Sequence, residues 1–134
     1  MRGVTTLTAA FAHFGAVPKN VLYAWSAVSP DGGTVVLTWW EDEVERRNGK
    51  LVYDTRNSYN SYNIWGNRHG SRERTKNLIH ARDYCGGLLR IVWVTAADPR
   101  DTVRKIVARR PDDTLWMHLI ELNEETGEFL AEEV

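Results

Sequence analysis

Residues Val21–Trp40 read VLYAWSAVSPDGGTVVLTWW, two β-rich runs around a Ser29-Pro30-Asp31-Gly32-Gly33 turn, and they predict the clearest hairpin of the chain. Alternation places Tyr23, Trp25 and Ala27 on one face of the first run and Leu22, Ala24, Ser26 and Val28 on the other. On the second run Val35, Leu37 and Trp39 oppose Val36, Thr38 and Trp40. Both faces are largely apolar, so the hairpin belongs at the centre of a sheet, covered on one side by helices. Adjacent Trp39 and Trp40 must face opposite sides, which makes one of them core and leaves the other for the surface.

Outward from this hairpin, Leu88–Ala96 (LLRIVWVTA) is a nearly continuous apolar strand. Thr114–Leu122 and Glu128–Glu133 flank an Asn123–Gly127 turn and predict a second hairpin. Leu51–Tyr53 adds a brief strand. Val4, Leu7, Phe11 and Phe14 have helical spacing ahead of Gly15 and Pro18. Ser71 is a candidate N-cap for a helix reaching Cys85, with Gly86-Gly87 as its stop. Glu41–Arg47 reads as one charged helical turn and Asp101–Val107 as a short helix. The expected fold class is α+β. Residues 1–134 form one domain, a whole protein or part of a larger one, with a curved, mostly antiparallel sheet of about five strands and two or three helices.

Length and composition agree with a globular chain. At 134 residues it can bury roughly 65–70% of its unfolded surface without metal or disulfide staples. Its one cysteine, Cys85, excludes an internal disulfide and a cysteine-rich zinc site. No run reaches membrane length, and MRGVTTLTAAFAHFG is too short and polar for a signal peptide. The expected compartment is a reducing cytoplasm. The formal net charge of −1 conceals a strong division. Residues 1–44 carry −2, residues 45–90 carry +6, residues 91–110 carry +3 and residues 111–134 carry −8. Such blocks either build a local positive field or pair with one another in the fold.

The +6 block contains Tyr53–Lys76, YDTRNSYNSYNIWGNRHGSRERTK. Its first half has neither a strand's nor a helix's period, and ordered loops of such length are often functional. Arginine and lysine bind phosphates, asparagine reads base edges, and aromatic rings stack on exposed bases. Arg56, Arg68, Arg72, Arg74 and Lys76 are therefore the candidate phosphate ligands, and Asn60, Asn63 and Asn67 the candidate base readers. Tyr59, Tyr62 and Trp65 are candidates to stack or wedge. Trp25, Trp39 and Trp40 are candidate walls for an extruded base, which must be held between aromatic or apolar surfaces.

One resemblance bears on this reading. The run Gly87–Ile106, GLLRIVWVTAADPRDTVRKI, resembles the strand-and-turn segment of YTH-type modified-base readers in the PUA-like superfold. The resemblance implies recognition of a modified base. The helix Ser71–Cys85, inserted before the shared strand, departs from that pattern, so no cage residue is carried across. Trp25-Ser26-Ala27, Thr34–Trp40 and Asn77–Arg90 together also resemble small uncharacterised bacterial proteins, a likeness that implies no activity.

The expected function is nucleic-acid binding, DNA more than RNA, without cofactor, metal or membrane. Catalysis finds less support. Glu41, Asp42 and Glu43 are sequential and suit a solvated face, and the spacing of His69 and His80 is not that of a metal helix. Cys85 at a helix C-terminus lacks the positive dipole that would activate it. A metal-independent nuclease or hydrolase using His69 with Arg68 and Arg72 is one alternative. The other is a protein-interaction module, in which basic middle and acidic tail pair between the subunits of a homodimer.

Overall fold

The computed structural model describes residues 6–19, 24–57, 69–101 and 104–134. Helix α1 is Leu7–Ala12, capped by Thr6, whose hydroxyl oxygen accepts from the Ala9 amide at 3.1 Å. Strands β1 (Ser26–Val28) and β2 (Val35–Trp40) form the expected hairpin. A 3-10 turn at Glu41–Glu43 leads into β3 (Glu45–Arg47) and β4 (Lys50–Asp54). Helix α2 spans His69–Tyr84 and is followed by β5 (Leu88–Ala96), β6 (Ile106–Pro111), β7 (Met117–Leu122) and β8 (Phe129–Glu133).

The sheet therefore has eight strands, not about five, with two α-helices among the described residues. The class is still α+β, and two segments differ from expectation. Glu45–Arg47, expected in a helical turn, pairs with β4 across Asn48 (φ 53°) and Gly49 (φ 80°). Two consecutive positive φ values are the geometry of a type I′ hairpin turn, for which Asn-Gly is the favoured pair. Residues 106–111, whose start was expected to close a helix, form an edge strand along β5. That strand owes its conformation to the β5 ladder more than to its own half-buried side chains.

The strand order is β1-β2-β5-β7-β8-β4-β3, with β6 also on β5. Parallel pairing of β2 with β5 is the one exception to antiparallel neighbours among these strands. The ends of β5 take different partners. Leu88 and Leu89 pair with β7, whereas Val92–Ala96 pair with β6. The concave layer holds Leu37, Trp39, Tyr53, Leu89, Ile91, Trp93, Met117 and Phe129, closed by Leu78 and Ala81 of α2. On the opposite face Val36, Val92 and Val94 pack with Ala10 and Phe11 of α1. The central hairpin is thus covered on both faces, which accounts for its two apolar sides.

Helix α2 is fixed to the β1 edge by two contacts. Asn77 Nδ2 donates to the buried Ser26 hydroxyl at 2.7 Å. At Gly70 the helix backbone lies against the Trp25 indole so closely that a Cβ would come within 2.5 Å of its ring atoms. A Gly70→Ala chain must move either the helix or Trp25. Overpacking of this kind costs about 1–3 kcal/mol, so chemical denaturation should show a lower midpoint for this variant. An unchanged midpoint would mean that Trp25 does not pack on the helix.

Candidate nucleic-acid interface

The first turns of α2 have two functional faces. Arg72 and Lys76, one turn apart, are exposed on the outer face. Glu73 between them is half-buried. Burial raises its pKa, and the charges of Lys19 and Lys76 oppose the rise. Exposed Lys19, just after α1, therefore lies within electrostatic reach of the same helix face. Ser71, expected as the N-cap, is instead inside the helix and 1% exposed.

Arg74 faces inward and is 6% exposed. Its guanidinium carbon sits 5.0 Å from the Trp25 ring and 5.0 Å from the Phe129 ring, within the range of cation–π attraction. Burial lowers its pKa, and neighbouring Tyr53 and Glu43 counter the shift. Tyr53 donates its hydroxyl to the Thr38 carbonyl at 2.8 Å, and burial pushes its pKa up to about 12. These contacts correct the assignment of Arg74 as an outward phosphate ligand. It clamps Trp25 against the concave core.

Trp39 is also corrected as a wall for a base. It is 1% exposed, with its ring stacked on Tyr53 at 4.6 Å and 3° and on Trp93 at 4.7 Å and 20°. Trp40 is half-buried on the other side of β2, with the Arg104 guanidinium carbon 5.0 Å from its ring. Arg104 is in turn held by both oxygens of Asp42 at 2.9 and 2.7 Å and by Glu43 at 3.4 Å. Trp25 is half-buried. Arg56 is exposed but engaged, its guanidinium donating to both Asp54 oxygens at 2.9 Å. Tyr59, Asn60, Tyr62, Asn63, Trp65, Asn67 and Arg68 lie outside the described residues, as does the side chain of His69.

Part of the charge division is spent internally. Lys50 reaches Glu132 at 3.7 Å, and Arg82 reaches Glu124 at 3.0 Å. Lys76 makes no ion pair among the described residues. Two arrangements could not be read along the chain. His13 Nε2 meets Asp113 Oδ1 at 2.5 Å across one hundred positions. Arg90 lies between the rings of Phe14 and Trp116, at 4.7 and 4.1 Å, and donates to the Asp113 carbonyl at 2.9 Å. Both contacts join α1 to the turn before β7. Among the described residues no hydroxyl or thiol is hydrogen-bonded to His13. Among the same residues no group of three or more histidine, cysteine or carboxylate side chains is placed to hold a metal ion, and no helix is long and apolar enough to cross a membrane. Comparisons with protein-family models, curated proteins and solved structures found no match.

The Asp54 carboxylate sets a testable acid limit. Hydrogen bonds from the Arg56 side chain, joined by the Arg56 amide and Arg47, hold its pKa down at about 2 against an ordinary 3.8, while burial opposes them. A depressed carboxylate pKa stabilises the fold above the unfolded value. That stability is lost as the pH falls from about 4 towards 2. The shift corresponds to stabilisation on the order of 2 kcal/mol. Asp54→Asn should lose this stability at neutral pH and flatten the acid limb of the stability profile. Denaturation midpoints measured between pH 2 and pH 7 would decide, and parallel profiles for both chains would contradict the assignment.

Proposed function

We propose that the chain is a nucleic-acid-binding module, with DNA as the first substrate to test. Its phosphate contacts come from Arg72 and Lys76 on the outer face of α2, with Lys19 alongside. The observation that carries this reading is the exposure of Arg72 and Lys76 on one helix face, directly after a sequence of tyrosine, asparagine and tryptophan. In that preceding segment Asn60, Asn63 and Asn67 would read base edges, and Tyr59, Tyr62 and Trp65 would stack on bases. Arg68, immediately before the helix, would add a third phosphate contact. Arg74 supports the site from within by fixing Trp25, and Arg56 is not required because Asp54 engages it.

A second reading has its own observation. Ile120 on β7, Trp116 just before it and Val134 just after β8 are exposed, with Leu88 across from His118. An apolar set of this kind suits protein contact. It predicts a co-purifying protein and no nucleic-acid shift.

Fluorescence anisotropy with a labelled DNA oligomer at several salt concentrations separates the two. Phosphate contacts release counterions, so affinity should fall steeply with salt. Replacing Arg72 and Lys76 together by alanine should raise Kd at least about tenfold and reduce the salt slope by about 2. Lys50→Ala, at a lysine already paired with Glu132, should leave both values unchanged. Absence of salt-sensitive binding below micromolar to DNA or RNA, with or without base modification, would sink the proposal.

A further inference from the structure

Helix α1 covers only part of its side of the sheet. Its buried Ala10 and Phe11 pack with Val36, Val92 and Val94 of β2 and β5. The cover ends at Arg90, whose guanidinium carbon lies 4.7 Å from the Phe14 ring and 4.1 Å from the Trp116 ring. Beyond Arg90 the same side continues onto β7. Leu88, two residues before Arg90 on the same face of β5, pairs with His118. Trp116 and Ile120 are the diagonal neighbours of that pair, within reach of long side chains. Leu88, Trp116 and Ile120 are 39%, 43% and 47% exposed.

Ile120 stands in a bulge. Leu119 pairs with Ala131 and Glu121 with Leu130, so Ile120 is the extra residue between them. Strict alternation would turn Glu121 inward after Leu119. The bulge instead leaves Ile120 and Glu121 both exposed and brings Leu122 against the core. A carboxylate is thereby set beside the apolar side chains. Residues 111–134 hold eight acidic residues and no lysine or arginine. Cations from elsewhere in the chain reach Glu132 and Glu124, through Lys50 and Arg82, and His13 meets Asp113. Arg56 feels the charge of Glu121, but its guanidinium is bound to both Asp54 oxygens. Glu121 on β7 and Glu125 in the following turn are exposed and make no ion pair among the described residues.

We infer that the face formed by Leu88, Trp116, His118, Ile120 and Glu121 docks a basic segment of a partner protein. An apolar side chain of that segment lies on Trp116 and Ile120, and its lysines or arginines lie beside Glu121. Uncovered apolar groups next to carboxylates without a counter-charge fit a ligand that brings both apolar surface and positive charge. A polyanion is repelled from such a face, so the ligand here differs from that of the outer face of α2. The assignment rests on the protein-contact reading of this face, whose partner it names, and is independent of what α2 binds.

The test follows the anisotropy of labelled peptides of equal length titrated with the full chain. One is oligolysine with a single central tryptophan, the second is oligolysine alone, and the third carries the tryptophan among serines. The lysine–tryptophan peptide should bind about tenfold tighter than either of the others, and more weakly as salt rises. Ile120→Ser and Glu121→Lys, both at exposed positions, should each weaken it about fivefold or more with circular dichroism unchanged. Arg72→Ala should bind it as the wild type does. No binding of the lysine–tryptophan peptide, or unchanged binding by both β7 variants, overturns the inference. Equal binding of plain oligolysine overturns it by removing the apolar anchor. Equal binding of the serine peptide overturns the basic partner but leaves the protein-contact reading standing. Self-association in sedimentation that Ile120→Ser abolishes assigns the face to a second copy of the chain and also overturns it.

Discussion

The stack of Tyr53, Trp39 and Trp93 is the contact on which the other arrangements depend. These rings come from β4, β2 and β5, and β4 is hydrogen-bonded to neither of the other two. Contact across the concave side therefore holds the curvature of the sheet. Ring pairs of this kind add about 0.5–1.5 kcal/mol each beyond the area they bury. With β4 drawn in, the Tyr53 hydroxyl reaches the Thr38 carbonyl, and the space left above the stack takes the inner row of α2. The helix orientation follows from this. Arg74 and Leu78 go in, so Arg72 and Lys76 must go out.

Charge acts at two levels. The −8 segment neutralises part of the basic middle, through Glu132 with Lys50 and Glu124 with Arg82. These exposed pairs contribute little each, but they remove basic groups from competition as phosphate ligands. The Arg104 side chain, 1% exposed and held by Asp42 and Glu43, is a different case. A buried cation of that kind is strongly destabilising when one partner is removed. It ties the segment between β5 and β6 to the turn after β2, beside Trp40. Arg72 and Lys76 are exposed on α2, shortly after the tyrosine-, asparagine- and tryptophan-rich segment of the sequence.

Much of the fold was legible because local and tertiary signals agreed. The Pro-Asp-Gly-Gly turn with apolar runs on both sides marked β1 and β2, and the apolar run at 88–96 marked β5. The sheet count failed where they diverged. Arg109-Arg110 on β6 give no strand alternation, because an edge strand takes its geometry from its neighbour. The β3–β4 hairpin does carry a local signal, Asn48-Gly49, beside the charged run of residues 41–47. At the site, extending the Leu78–Ala81 row backwards by four and seven residues reaches Arg74 and Ser71, so their burial was readable from the helical period. Contacts of Arg74 with Trp25 and Phe129, and of His13 with Asp113, join positions far apart in the chain. No local pattern encodes them.

The most direct measurement is amide hydrogen exchange of the full chain with and without a DNA oligomer, at low salt. If the outer face of α2 and the segment before it form the interface, protection should appear in peptides spanning residues 56–77 and disappear as salt is raised. Protection confined to the outer face of β7 and β8, or no change on adding DNA at concentrations well above micromolar, would contradict the account.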